Sequence, residues 1–309
     1  MTNISEKKKI FLEKLTSRTG KYKRYNGSPL RYGGWKSLAV WKIIENLPDN
    51  LERVVSPFLW GASVEIAISK ELWIPILWYD IFNLLVNYWN YQINNSNILV
   101  TWLEKLKPNK EEYEKVKNEL KKTWNYKQWE NEYLSNQDKA IYYYFNHNLS
   151  YWPWFLGWMS SVYQDEKKYF KLIDKVREFS VDNFDVKRWD FEYVLPQHIN
   201  DFLYLDPPYY LEWDSKMFKW IYPMRNFPIH HNLFNHENLA NLLHEHKWWF
   251  ILSYNDCSWV REAYKNFKII EVSWQYTMWQ GETRIGKNRL ERDFDNWNIK
   301  KSHELLIIW

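Results

Sequence analysis

Only one cysteine, Cys257, occurs in 309 residues, which excludes a disulfide framework and any zinc site built from cysteines. Glycine is also scarce: 8 residues against 22 tryptophans, where a soluble domain ordinarily carries about 7% glycine. No apolar run approaches the roughly 20 residues of a membrane span. The most hydrophobic region, Leu72 to Val86, is interrupted by Asp80. The opening MTNISEKKKIFLEKL has no apolar stretch of signal-peptide type, so a cytoplasmic protein without membrane contact is expected. Nor is the charge one-sided. A net +4 is compatible with a polyanionic partner but does not point to one, because such binding depends on where the positive charges lie. What is present is a 46% hydrophobic content, enough for a real core, and 26% charged residues, a balance that argues against disorder. The length accommodates one large α/β domain with a smaller insert.

Much of the tryptophan excess falls where a turn or a nucleotide loop wants glycine. Examples are Trp60 next to Gly61, Trp73 in KELWIP, Trp78 before Tyr79-Asp80, Trp152 and Trp154 around Pro153, and Trp248-Trp249. Glycine supplies a positive φ at low cost and lets a ligand approach the backbone; tryptophan does neither. We read many of these tryptophans as glycines of the natural protein. A UGA codon decoded as glycine in the source and written as tryptophan in translation produces this pattern. A truly aromatic-rich chain is the alternative.

Along the chain, residues 1–27 form a basic, polar lead-in. Residues 28–95 have an α/β rhythm: a loop at SPLRYGGW, a helical LAVWKIIENL, a strand at RVVSPF, a helix through SVEIAISKEL and a strand at IPILWYD. Two strands joined by a helix describe half of a doubly wound sheet. Residues 96–185 read as an inserted, mainly helical module, with EKLKPNKEEYEKVKNELKKTW and KKYFKLIDKVREF as its clearest helices. The α/β pattern returns over 186–309 with VKRWDFEYVL, the apolar strand of DFLYLDPPYY, the helix HENLANLLHEH, the strand WWFILSYND and the helix SWVREAYKNF. FKIIEVSWQYTMW and HELLIIW read as closing strands in an antiparallel arrangement.

The sharpest local signal is Asp206-Pro207-Pro208-Tyr209, directly after Phe202–Leu205. It puts a carboxylate and a rigid prolyl backbone at the carboxyl edge of a sheet, where open α/β folds bind ligands. Prolines donate no hydrogen bonds, so the carbonyls around them can serve an external donor. An adenine amine fits: Asp206 accepts one N–H and the Pro207 carbonyl the other, while Tyr209 stacks on the base. A proline-rich turn that happens to follow a strand has the same four letters.

Taken with its surroundings, this tetrapeptide resembles that of the Dam-like, adenine-specific (N6) DNA methyltransferases, and the resemblance covers roughly residues 28–309. The family's leading loop is similar to Arg31-Tyr32-Gly33-Gly34-Trp35-Lys36, with Trp35 at a glycine position. Its cofactor loop is similar to Ser56-Pro57-Phe58-Leu59-Trp60-Gly61-Ala62-Ser63, in which Ser56 replaces the usual acid and Trp60 a glycine. Asp80, the pair Asp190-Phe191, Ser253–Asp256 and His303–Ile307 follow in the family's order. The resemblance implies a Rossmann-like methyltransferase fold, with a mostly parallel sheet, antiparallel closing strands and an inserted helical target-recognition domain. It implies S-adenosylmethionine as cofactor, and transfer of its methyl group to a flipped-out adenine of double-stranded DNA. A monomer and a cognate restriction endonuclease as partner are further expectations. Tyr32, Lys36, Pro57, Phe58, Gly61, Ser63, Asp80, Asp190, Phe191 and Asp206 become the cofactor-binding candidates, with Asp206, Pro207, Pro208 and Tyr209 catalytic.

These positions also have physical readings. The loop Phe58–Ser63 runs from a strand into a helix, so its N–H groups can face the methionyl part of a cofactor. Asp80, one helix and one strand later, can accept both ribose hydroxyls, or simply cap a helix. Asp190 can accept from the cofactor's adenine amine with Phe191 beside it, although such pairs are common at strand starts. Lys36 is an anchor for the cofactor carboxylate, a catalytic-loop contact or a surface lysine. For DNA contact, Asn146, Asn148 and Ser150 and the asparagines and histidines of NFPIHHNLFNH offer donors and acceptors, and the basic stretch 284–292 suits phosphates. His230, His231, His236, His244 and His246 raise the question of a metal site, but His244 and His246 lie two apart on a predicted helix and share no face, which argues against one. A methyltransferase of RNA adenine or protein amide, or an inactive DNA-binding homologue, are the other readings. Asp rather than Asn at 206 argues against protein amides.

Overall fold

The computed structural model describes residues 4–18, 20, 22–32, 36–125, 127–151, 153–210, 234–272 and 304–309. The glycines and tryptophan at 33–35, Trp152, His230, His231, the basic stretch 284–292 and His303 lie outside the described residues.

Apolar runs make the central strands. β1 (Val54–Ser56), β6 (Phe202–Leu205) and β7 (Phe250–Asn255) are buried at every position, as strands covered on both faces must be. Among the described residues seven strands form one sheet, ordered β5-β2-β1-β6-β7-β9-β8, with β2 at Ile76–Asp80, β5 at Phe184–Arg188, β8 at Lys268–Val272 and β9 at Glu304–Ile308. β5-β2-β1-β6-β7 run parallel, and β9 inserts antiparallel between β7 and β8. The mixed sheet and its antiparallel closing pair therefore agree with the sequence reading. The chain winds outward from β1 through β2 to β5, then returns to lay β6 on the other side of β1. The gap between β1 and β6 is the topological switch point, where such sheets hold ligands.

Helices cover both faces. α3 (Ser63–Leu72) links β1 to β2, matching SVEIAISKEL to the residue. α9 (Phe191–Gln197), α10 (His236–Glu245) and α11 (Ser258–Ala263) serve the second half. Between β2 and β5 stand α4 (Asn83–Asn94), α5 (Ser96–Leu103), α6 (Lys110–Lys122), a hairpin of β3 (Trp124–Asn125) and β4 (Glu130–Asn131), α7 (Asn136–Leu149) and α8 (Glu166–Glu178). The charged helices α6 and α8 bury one stripe each: Tyr113, Val116 and Leu120, and Tyr169, Leu172, Ile173 and Val176, at the spacing of a single helix face. Asn109 and Asp165 cap them by accepting backbone N–H groups.

Two features go beyond the sequence reading. The polar lead-in contains α1 (Ile4–Leu15), whose Phe11 and Leu15 are buried. The helical stretch also has no core of its own: Leu99, Tyr113 and Ile173 join Ile43, Val54 and Trp78 in one cluster. The remaining face of the sheet is filled by Phe58, Phe191, Leu203, Leu252 and Leu305. Among the described residues no helix is long and apolar enough to cross a membrane.

Candidate active site

β1 and β6 pair in register, Val55 beside Leu203, so the loops that follow them emerge side by side at the carboxyl edge. From β1 comes Pro57-Phe58-Leu59-Trp60-Gly61-Ala62 and from β6 comes Asp206-Pro207-Pro208-Tyr209. A pocket of about 230 Å³ opens there, lined among others by Phe58, Trp60, Asp80, Asp190, Phe191 and Pro208. Pro57 also lines it. Pieces from four strand ends, those of β1, β2, β5 and β6, thus meet in one cleft.

Asp80 closes β2 and holds the β1 loop. Its two carboxylate oxygens accept from the backbone N–H of Leu59 (3.0 Å) and of Phe82 (2.7 Å). Burial raises its pKa to about 7 against these two bonds. Asp190 caps α9 by accepting from the Glu192 N–H at 2.9 Å, and burial raises its pKa too. Phe191 faces Phe58 (ring centroids 5.9 Å) and Phe234 (4.8 Å). Three phenyl rings beside two carboxyl groups suit a flat heterocycle on a hydroxylated sugar. Ser63, the first residue of α3, has a buried hydroxyl without a hydrogen-bond partner, a vacancy that a polar ligand group at this helix start would satisfy.

The β6 side is ionic. Lys36, in a short 3-10 turn, is buried with its Nζ 3.0 Å from Asp206 Oδ1 and 3.6 Å from Glu304 Oε2. It donates to the Tyr209 hydroxyl at 2.5 Å. Burial raises the Asp206 pKa to about 6, with Lys36 pulling the other way. Tyr209, expected to stack on the base, is instead buried, with Lys36 Nζ 4.8 Å from its ring centre and Tyr254 facing it at 6.3 Å. Asn255, in the strand ending Ser253–Asp256, donates to the Tyr210 carbonyl at 2.8 Å and fixes the exit of the tetrapeptide.

Pro57, Phe58, Asp80, Asp190, Phe191 and Pro208 therefore converge as the sequence suggested. Lys36 does not line the pocket; it serves Asp206. Tyr32 lies outside the pocket lining, tilted against Trp60 (5.5 Å) and stacked on His147 (5.0 Å). Gly61 and Ser63 carry the loop into α3. Asn146, Asn148 and Ser150, read as DNA contacts, are wholly buried. Asn148 accepts from the Arg31 N–H and donates to the Pro29 carbonyl, and Asn146 accepts from the Leu156 N–H. They fold the insert against the leading loop and are corrected to structural residues.

Sequence reasoning missed two participants, Glu65 and Glu304, and marked Ser56 and Trp60 only as departures from the family's pattern. Ser56, where the family has an acid, donates to Glu65 Oε1 at 2.7 Å. The carboxyl group is thus restored from within α3, and burial raises its pKa to about 8. Glu304 closes the ionic cluster, a contact between β9 and the leading turn that no local pattern encodes. Trp60 fills the space between the two loops: its Nε1–H donates to the Asp206 carbonyl at 2.5 Å.

A parallel sheet with antiparallel closing strands, and a polar-aromatic pocket at its switch point, define a Rossmann-like methyltransferase. The model of the D12 class N6 adenine-specific DNA methyltransferases matches residues 32–278, and the chain belongs to that family. It is accordingly an S-adenosylmethionine-dependent enzyme that methylates adenine N6 in DNA. No curated protein matches it. The adenosine half of that cofactor fits the phenyl-lined end of the pocket. Trp60, which lines this pocket, reaches from it to the Asp206 carbonyl.

Proposed function

We propose that the enzyme takes a flipped-out adenine of duplex DNA at the edge of β6 and that Asp206 and the Pro207 carbonyl grip its exocyclic amine. The observation that carries this reading is the Asp206 carboxylate, buttressed by Lys36 at 3.0 Å, at the switch point beside the pocket of Phe58, Asp80 and Asp190. Lys36 occupies Oδ1, which leaves Oδ2 as acceptor for one N6 hydrogen. With the second hydrogen on a prolyl carbonyl, the nitrogen lone pair is localised and aimed across the cleft. When bound, the cofactor supplies an electrophilic methyl group on a cationic sulfur. Asp80 and Asp190 hold sugar and base on the β1 side, and Phe58 and Phe191 exclude water. A carboxylate is a poor base toward a neutral amine. It becomes a competent one as the nitrogen gains positive charge, so Asp206 holds the amine first and receives the proton, or passes it to water, afterwards. The reaction takes place in the cytoplasm, where DNA and cofactor meet.

Tritiated methyl transfer to duplex DNA tests the assignment, in a chain whose position 60 is cleared by Trp60→Gly. Asp206→Ala should lose roughly 10²–10³-fold in rate, the cost of removing one oriented polar partner of the reacting atoms. Retention of the parent rate would refute the role.

A further inference from the structure

Six non-glycine residues among those described have a left-handed backbone, and three are tryptophans: Trp60 (φ 40°), Trp73 (φ 62°) and Trp129 (φ 53°). Tryptophan is 22 of 309 residues, so half of these positions is far beyond its share. Left-handed φ is costly for any residue with a Cβ and nearly free for glycine. The three sites are also places where folds use glycine. Trp73 follows the last turn of α3, donates its N–H to the Ser69 carbonyl at 3.0 Å and is 73% exposed; it occupies the left-handed helix stop usually held by glycine. Trp129 is the last loop residue before β4 in the β3–β4 hairpin, the left-handed position of a longer hairpin loop. Trp60 lies in the strand-to-helix loop at the switch point, where a ligand must approach the backbone. Gly61 beside it is not left-handed; its neighbours Trp60 and Ala62 are.

Other described tryptophans sit in regular structure or in right-handed or extended backbone. Trp78 and Trp89 lie in β2 and α4, fully buried and 5.0 Å apart. Trp154, Trp248 and Trp249 are not left-handed. Backbone conformation singles out 60, 73 and 129 and makes no demand at the other described tryptophans.

Position 60 has a functional consequence. The indole reaches from the β1 loop to the Asp206 carbonyl, and the pocket beneath it, about 230 Å³, falls below the roughly 300–1,000 Å³ of small-molecule sites. We infer that residues 60, 73 and 129 are glycine in the protein as its source cell makes it, and that glycine at 60 opens the end of the pocket facing Asp206. The part concerning position 60 rests on the proposed function; the parts concerning 73 and 129 do not.

Peptide mass spectrometry of the protein isolated from its source cells should return glycine masses at all three positions; tryptophan there overturns the inference. The recombinant chain gives an independent reading through calorimetry with S-adenosylhomocysteine and thermal melts. Trp60→Gly should tighten binding at least tenfold, about 1.4 kcal/mol. Trp73→Gly should leave affinity unchanged and raise Tm by roughly 2–4 °C. Trp102→Gly, at a half-exposed position with right-handed backbone in α5, should lower Tm. A lower Tm for Trp73→Gly contradicts the glycine assignment. If Trp73→Gly stabilises but Trp60→Gly binds no more tightly, the pocket reading fails instead.

Discussion

The loops after β1 and β6 sit side by side at the same sheet edge but are held by opposite means. The β1 loop is aromatic and fixed through its backbone, with Asp80 accepting the Leu59 N–H and three phenyl rings gathered behind. The β6 loop is rigid through its prolines and fixed by charge, with Lys36 between Asp206, Tyr209 and Glu304. One side is built to hold a bound molecule, the other to keep a carboxylate charged where burial opposes it. By this division of labour, the inferred crowding at position 60 bears on the first function and leaves the second intact.

The largest effect should come from removing the anchor of the β1 loop. Asp80→Ala leaves the Leu59 and Phe82 N–H groups buried without acceptors, each costing about 1–3 kcal/mol. A denaturant melt should show a loss of that order, and cofactor-analogue binding should vanish with the loop geometry. Unchanged stability would mean that water or another group replaces the carboxylate.

On the β6 side, Lys36→Met should act through charge. With a cation within about 4–6 Å a carboxylate pKa falls by about 1–3 units, so its loss moves Asp206 upward from about 6. The acid limb of the pH–rate profile should rise by at least about one unit, while S-adenosylhomocysteine affinity stays near that of the parent. An unmoved limb would detach Lys36 from Asp206.

The smallest effect spans both loops. Asp80, Glu65 and Asp206 have folded pKa values raised to about 7, 8 and 6, so the folded chain holds protons that the unfolded chain has lost. Stability contributed by the protonated forms therefore disappears as pH rises through those values. Burial lowers His147 and His236 to about 3 and 4, which costs stability as pH falls below about 6.5, the unfolded histidine value. The unliganded protein should melt at progressively lower temperature from about pH 6.5 to 9, and a rising trend there would contradict the buried carboxyl groups.

The legibility of the sequence followed the same division. Contiguous signals were readable: α3 follows its apolar spacing, β6 its unbroken apolar run, and Asp206-Pro207-Pro208-Tyr209 its position after a strand. Motif order ties Asp80 and Asp190-Phe191 to strand ends, and both lie there, lining the pocket. What sequence could not encode was pairing across the fold. Lys36 meets Asp206 only because the leading turn crosses the β6 edge, and Glu304 arrives with β9. Asn146 and Asn148 looked like DNA contacts because their polarity is visible and their burial is not. The tryptophan surplus was visible as composition, but only backbone conformation separated Trp60, Trp73 and Trp129 from Trp78, which the core accommodates in a strand.

The most direct test is to measure cofactor grip and methyl transfer separately on the two sides. In the Trp60→Gly chain, Asp190→Ala should weaken S-adenosylhomocysteine binding at least tenfold, whereas Asp206→Ala should bind it within about threefold of the parent (under about 0.7 kcal/mol) and methylate adenine hardly at all. An Asp206→Ala protein that still transfers methyl groups, or that loses the cofactor analogue as completely as Asp190→Ala, would contradict the account.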